Sequence, residues 1–228
     1  SFILRVLWLL NIYTMPISDF RVIYETAQDL LEGNTSAFWG NGYLGRFPHL
    51  TVMSLYMSFM IKLFPVNNII AMKVVNLFFG IITVYLIYLL AKEIFNSKKL
   101  GLYAAGLASF FPPLVTFVGI LCTENIAIPF YILSTYLFIL VVKNKKSKYY
   151  LILSGVMLSI GNLFRMVATI VIMAFGIYLV IYTKDKLIEK IKRVGLYLLP
   201  YLLVLFAVSS TLQGIGVTEF PLWKGSEP

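Results

Sequence analysis

Long apolar segments fill most of this sequence and limit what it can fold into. After an apolar start at residues 1–15, such segments recur at about 50–64, 68–91, 100–118, 123–142, 149–164, 166–182 and 194–212. A helix needs about 20 apolar residues to cross the core of a bilayer, and most of these segments approach that length. Only 13% of the residues are charged, whereas soluble domains have about 25%. The sequence therefore predicts an integral membrane protein.

The backbone of a membrane-spanning segment must satisfy its own hydrogen bonds, which only helices and closed barrels can do. The alternating strand pattern of a barrel, about ten residues long, is absent from the sequence. We therefore expect an all-α integral membrane protein, with residues 1–228 forming a single polytopic transmembrane domain. The chain begins with Ser1 rather than a methionine, and we expect it to be the N-terminal module of a longer protein.

Three short basic loops, at residues 92–99, 143–148 and 183–193, set the expected orientation. Enough apolar residues for two spans separate each loop from the next, so all three face the same side of the membrane. The positive-inside rule makes that side the cytoplasm. The net charge of +9 is explained in this way without a nucleic-acid partner. Abundant Ile, Lys, Asn and Tyr point to a low-GC bacterium, and so to a multi-pass protein of the bacterial plasma membrane.

Residues 16–49 form the only long polar loop. In it, Ser18 is a candidate N-cap, and apolar residues recur at helical spacing until Gly33. This pattern predicts an amphipathic helix on the membrane surface. If the loop is extracytoplasmic, residues 50–64 cannot span, and we predict a juxtamembrane or half-inserted helix there. In the alternative topology, residues 50–64 are a true span and the long loop is cytoplasmic.

With the long loop outside, a set of polar residues collects on the extracytoplasmic face, namely Asp19, Arg46, His49, Glu124 and Arg165. Charges at membrane depth are costly and are usually paired or functional. Asp19 can act as a general base toward an acceptor hydroxyl, or it can simply cap a helix. Asp19 and Glu124 together could ligate Mg²⁺ or Mn²⁺, which prefer carboxylate oxygen, although a solvated loop acid explains Glu124 equally well.

Arg165 is the only charged residue between Tyr149 and Tyr182. Its guanidinium could hold a phosphate through paired hydrogen bonds, or it could anchor the interface by snorkelling. Arg46 is a second candidate for phosphate binding. His49 is a candidate ligand or proton carrier.

Taken in order, these motifs resemble the GT-C glycosyltransferases, in the branch of the protein O-mannosyltransferases and lipid A aminoarabinose transferases (glycosyltransferase family 39-like). Asp19 follows the first span, and Arg46-Phe47-Pro48-His49-Leu50 resembles an aromatic-Pro-Pro or His-Pro-Pro element before a second juxtamembrane helix. Phe111-Pro112-Pro113 and Thr123-Glu124 resemble the proline turn and Thr-Glu pair of the second outer loop. Asn162-Leu163-Phe164-Arg165 resembles the arginine-bearing hairpin. Pro48-His49 departs from the Pro-Pro of many relatives.

The apolar segments predict about seven spans. The resemblance implies a helical bundle of GT-C type with juxtamembrane helices in the first outer loop. It implies a polyprenyl-phosphate sugar donor and an acceptor hydroxyl on a glycan, lipid or protein outside the cytoplasm. Asp19 would be the catalytic base, Glu124 would help bind a metal or the donor phosphate region, and Arg165 would neutralise the phosphate. Direct displacement would invert the anomeric centre, and an apolar groove between spans would take the isoprenoid tail.

Two other functions use the same residues differently. A transporter or flippase for a lipid-linked or polar substrate would use Asp19, Glu124 and Arg165 as an internal binding cluster. Transporters often consist of two related halves, and no such internal similarity is visible here, which favours the enzyme. In a non-catalytic membrane subunit, the side chains of Asp19, Glu124 and Arg165 would not need to lie close together.

Overall fold

The computed structural model describes residues 1–183 and 186–224, and all regular secondary structure in these residues is helical. Lys184 and Asp185 of the third basic loop lie outside the described residues. The helices are α1 (Phe2–Asn11), α2 (Asp19–Leu31), α3 (Tyr43–Arg46), α4 (Thr51–Leu63), α5 (Asn68–Phe95), α6 (Lys98–Phe110), α7 (Pro112–Thr116), α8 (Glu124–Val142), α9 (Tyr150–Phe164), α10 (Ala168–Tyr182) and α11 (Leu187–Gly214). Short 3₁₀ turns occupy Ser36–Phe38, Pro48–Leu50 and Phe117–Gly119. The prediction of a helical membrane protein is confirmed for the described part of the chain.

Within these residues, α5, α8 and α11 are long and apolar enough to cross a membrane, with 28, 19 and 28 residues. A fourth candidate is the pair formed by α6 and the segment Pro112–Gly119, which bends by 64°. The shorter apolar helices α1, α9 and α10 have 10 to 15 residues. Fifteen helical residues rise about 22 Å, less than the bilayer core of about 30 Å. The count of about seven spans needs these three helices to cross as well, and it stays a prediction.

The bend between α6 and α7 has its cause in the sequence Phe111-Pro112-Pro113. A residue that precedes proline is pushed out of the helical region, and Phe111 is extended at φ −65° and ψ 116°. Pro112 then begins α7, a position where its missing amide hydrogen costs nothing. The chain between α6 and α8 is thereby turned back toward α1.

The helix α2 packs along α4 through a small apolar core. Ile23 and Ala27 of α2 are buried against Met53 and Met57 of α4, and Arg21 and Glu25 form an exposed ion pair on the opposite face of α2. The 13 residues of α4 rise about 20 Å, which is short of the bilayer core. Its assignment as a juxtamembrane or half-inserted helix stays a prediction.

The remaining helices pack side by side in the order α1, α5, α8, α9 and α11. Between α8 and α9, the buried hydroxyls of Ser134 and Ser154 lie 3.0 Å apart. Between α8 and α10, the rings of Phe138 and Phe175 stack with their centroids 3.9 Å apart. Between α9 and α11, Gly155 lies directly against the backbone of Tyr197.

Polar contacts join the loops at both ends of the bundle. At one end, Lys145 pairs with Glu93, and the ammonium of Lys148 lies 4.0 Å from Glu189, so the three basic loops meet there. At the other end, the Gly40 amide donates to the Glu219 carboxylate at 2.6 Å. This contact ties the long loop to the segment that follows α11.

Gly155→Ala should destabilise the protein, because a Cβ at this position would overlap the Tyr197 carbonyl oxygen. We expect a loss of about 1–3 kcal/mol, the usual range for an overpacked contact. Thermal unfolding in detergent measures it. Gly106→Ala on α6 is the control, since a Cβ there meets nothing within 4 Å, and it should be neutral or slightly stabilising. Equal melting temperatures for the two variants would contradict the α9–α11 packing.

Candidate functional site

Two asparagines fix the turn that leads into Glu124. The side-chain amides of Asn76 on α5 and Asn125 on α8 both donate to the Ile120 carbonyl, at 3.0 and 2.8 Å. Asn125 also donates to the Phe117 carbonyl at 2.8 Å. Glu124 is the first residue of α8, where the helix dipole favours a carboxylate. The Thr123 hydroxyl donates to its Oε2 at 3.0 Å.

Arg165 lies at the C-terminal end of α9 and faces Glu124. Its Nη2 is 3.5 Å from Oε1 of Glu124, and the side chains are 50% and 30% exposed. An ion pair this open to solvent is worth about 0–1 kcal/mol, so it orients the guanidinium more than it stabilises the fold. The other guanidinium N–H groups donate to no residue in the described part of the chain. Arg165 is therefore held at one edge and has donors free for a ligand.

The helix α8 also holds the backbone of the turn that carries Arg165. Tyr131 is seven residues after Glu124, on the same face of α8. Its hydroxyl donates to the Arg165 carbonyl at 2.5 Å and accepts from the Val167 amide at 3.4 Å. Asn162 accepts from the Ala168 amide at 3.1 Å. Tyr131 was not predicted, although its spacing of seven residues from Glu124 was a signal for it.

His49 lies in the 3₁₀ turn Pro48–Leu50, half-buried beside Arg165. Burial and then the charge of Arg165 lower the pKa of His49 below its ordinary value of 6.5. The imidazole is therefore neutral at pH 7. Its Nδ1 is buried and has no hydrogen-bond partner among the described residues.

Asp19 is the first residue of α2 and is exposed. Ser18, which precedes it, has φ 51°, a conformation that costs energy for any residue except glycine. The Tyr43 hydroxyl of α3 lies near the Asp19 carboxylate. Burial and then the charge of Asp19 raise the pKa of Tyr43 to about 12, so the phenol stays protonated. Tyr43 was not predicted, because an uncharged residue in a long loop gives no signal.

A row of aromatic side chains connects the Asp19 region with the Arg165 region. The rings of Tyr43 and Phe47 have centroids 5.0 Å apart, and the rings of Phe47 and His49 have centroids 6.3 Å apart. The structure therefore brings Glu124, Arg165 and His49 together and joins Asp19 to them through the long loop. Among the described residues, no hydrogen bond or ion pair joins Asp19 directly to Glu124 or Arg165.

Arg46 and the predicted metal site are less well supported by the geometry. Arg46 is exposed, with its guanidinium carbon 6.0 Å from the centroid of the Phe47 ring. The described residues contain no group of three or more His, Cys, Asp or Glu side chains that could hold a metal ion, and both oxygens of Glu124 face protein donors. A divalent metal at Asp19 and Glu124 therefore stays a prediction.

The lowered pKa of His49 predicts a specific loss of stability in acid. The unfolded chain binds a proton at His49 below pH 6.5, whereas the folded protein resists it, so stability falls as the pH drops through and below 6.5. The wild type should lose melting temperature relative to His49→Gln between pH 6.5 and 5, and the difference should be constant above pH 7.5. Thermal unfolding of both proteins across this range tests it. Parallel pH profiles would contradict a buried neutral imidazole.

Comparison with known proteins identifies a family for this chain. No curated protein and no solved structure matches the chain significantly. Residues 49–213 match the family described as dolichyl-phosphate-mannose-protein mannosyltransferase. The match covers α4 to α11 and so includes His49, Glu124 and Arg165, while Asp19 and Tyr43 precede it. This chain, a multi-pass helical membrane protein, therefore belongs to the dolichyl-phosphate-mannose-protein mannosyltransferase family.

Proposed function

We propose that this protein is a membrane glycosyltransferase that moves a sugar from a polyprenyl-phosphate donor to an acceptor hydroxyl on the extracytoplasmic side of a bacterial plasma membrane. The observation that carries the proposal is the Arg165–Glu124 pair, in which a half-exposed guanidinium is oriented by one carboxylate and keeps free donors. Family membership favours this function over a transporter or a non-catalytic subunit.

Arg165 suits the phosphate that leaves the donor. A guanidinium offers five N–H donors in a planar fork that matches phosphate oxygens. Glu124 occupies one edge of the fork at 3.5 Å, so the remaining donors are presented in a defined direction. Stabilising the charge that develops on a leaving group is worth more than binding the ground state. The neutral His49 beside Arg165 can add a hydrogen bond without adding charge.

Asp19 suits the role of the base. The acceptor O–H gives its proton to the Asp19 carboxylate while its oxygen forms a bond to the anomeric carbon. The bond between that carbon and the phosphate oxygen breaks, and the phosphate leaves with the electron pair. This single displacement inverts the anomeric centre. The protonated Tyr43 near Asp19 can donate a hydrogen bond that orients the carboxylate.

An apolar groove on the Arg165 flank suits the isoprenoid tail of the donor. A cavity of about 600 Å³ lies along α11, lined by apolar and aromatic side chains that include Leu205, Phe206 and Trp223. Leu205 belongs to the same buried cluster as Leu163 and Ala168, which flank Arg165 in the α9–α10 turn. A tail in this groove would keep the donor phosphate on the side of Arg165.

Asp19→Asn should reduce sugar transfer from a polyprenyl-phosphate donor by about a hundredfold or more, since general bases contribute at least that much. The swap keeps the size of the side chain and removes the base. Transfer is measured in membranes that hold the full-length protein, at matched protein levels. Asp29→Asn is the control on the same helix and should keep wild-type activity. Unchanged transfer by Asp19→Asn would refute the role of Asp19.

Glu124 and Arg165 should act as one unit. Arg165→Met should lower the rate of transfer by about 10²- to 10³-fold, the usual cost of losing one donor to a developing charge. Glu124→Gln should cost less, because it removes only the orientation. The double variant should be no slower than Arg165→Met alone, which a double-mutant cycle measures. Additive losses would mean that Glu124 acts independently of Arg165.

A further inference from the structure

A second candidate site lies where α1 packs against α5. A groove of about 500 Å³ opens between α1, α2 and α5. Its walls are mostly apolar side chains of α1 and α5, among them Val6, Leu9, Leu10, Val74 and Leu77. Polar groups collect at the end near the start of α5, namely Tyr13, Tyr24, Asn67, Asn68 and Lys73. The groove therefore combines a long apolar wall with a polar head.

Lys73 is the only cation among the residues that line this groove, and its side chain is almost fully enclosed, with 8% exposure. Its ammonium donates to the Thr14 carbonyl at 2.5 Å and lies 5.5 Å from the centroid of the Tyr13 ring. In the described part of the chain no carboxylate comes within ion-pair distance of it. An ammonium has three N–H donors, and one carbonyl satisfies only one of them. A charge at membrane depth is costly without a counter-ion, so this ammonium favours an anion.

Arg5 adds positive charge to the same pair of helices. Its side chain is fully buried between α1 and α5, against Gly80. It donates to the Ser1 hydroxyl at 2.6 Å, while its Nε and Nη2 have no hydrogen-bond partner among the described residues. The α1–α5 interface thus holds two cations, and no described acid pairs with either.

The groove is separate from the site that contains Arg165. It is lined by none of Asp19, Glu124 and Arg165. On the side of α1, the helices α5 and α8 lie between the groove and α9, since α1 packs on α5, α5 on α8 and α8 on α9. An anion at Lys73 is therefore not the phosphate that meets Arg165.

We propose that this groove binds an anionic glycerophospholipid, with its phosphate against Lys73 and an acyl chain along the apolar wall. Lys73 lies five residues after the start of α5, a rise of about 8 Å, which fits the headgroup region of the leaflet on that side. Tyr13 and Tyr24 have the amphipathic rings that collect at this depth. The proposal goes beyond the glycosyltransferase function and does not depend on it.

Lipid retention by the purified full-length protein tests the proposal. Protein reconstituted in detergent with equal amounts of phosphatidylglycerol and phosphatidylcholine of identical chains is repurified, and the bound lipid is quantified by mass spectrometry. The wild type should retain phosphatidylglycerol over phosphatidylcholine by at least about fivefold, as expected for one lysine at an anionic headgroup. Lys73→Met should abolish the preference, and Lys73→Arg should keep it. Lys62→Met, which removes an exposed lysine outside the groove, should leave it unchanged.

A second variant tests the apolar wall without changing any charge. Ile70 lines the groove and is 56% exposed, so Ile70→Trp should fold normally while filling part of the wall. It should lower the amount of retained phosphatidylglycerol several-fold. Equal retention of the two lipids by the wild type, or an unchanged preference in Lys73→Met, would overturn the proposal. Displacement of phosphatidylglycerol by an equimolar amount of polyprenyl phosphate would also overturn it, because the groove would then be a donor site.

Discussion

The polar contacts of α8 with the turn between α9 and α10 determine the geometry of the candidate site. Glu124 holds the guanidinium of Arg165 from the first residue of α8, and Tyr131 holds the backbone of the same residue two turns further along. A charged side chain on a short turn between two apolar helices would otherwise sample many directions. Two contacts from one rigid helix reduce these directions to a narrow set. The asparagines that bind the Ile120 carbonyl set the start of α8 itself, so the site depends on the contact between α5 and α8 as well.

Much of the helical architecture follows from hydrophobicity, because the backbone in lipid has few ways to satisfy its hydrogen bonds. The bend at Phe111-Pro112-Pro113 follows from the restriction that proline places on the preceding residue. Membership in a glycosyltransferase family was predictable from the order of short motifs around Asp19, Glu124 and Arg165. Helix ends were less predictable where the first turns are polar: α11 begins at Leu187, seven residues before the apolar segment 194–212, and apolar composition does not reveal such turns.

The candidate site was predictable only at its charged residues and at His49, the one histidine of the sequence. Arg165 and Glu124 are conspicuous in an apolar background, and their pairing follows from the adjacency of the turns that bear them. Tyr43 and Tyr131 are two of many tyrosines, and most tyrosines in such a chain face lipid or the interface. Their roles depend on which residues they contact in the folded protein, and the local sequence pattern does not show these contacts. The metal site at Asp19 and Glu124 stays a prediction, because the residue types alone do not show whether two acids far apart in sequence lie close together in space.

The contact between Gly40 and Glu219 has a consequence for how the protein is made. The two residues are 179 positions apart, and ribosomes add about 5–20 residues per second, so roughly ten to forty seconds pass between their synthesis. During that interval the long loop lacks this contact, while the helices from α4 to α11 are synthesised. The loop that carries Asp19 is thus held by one of the last described segments to be synthesised. The candidate site can therefore reach its final conformation only after the helices of the bundle have been made.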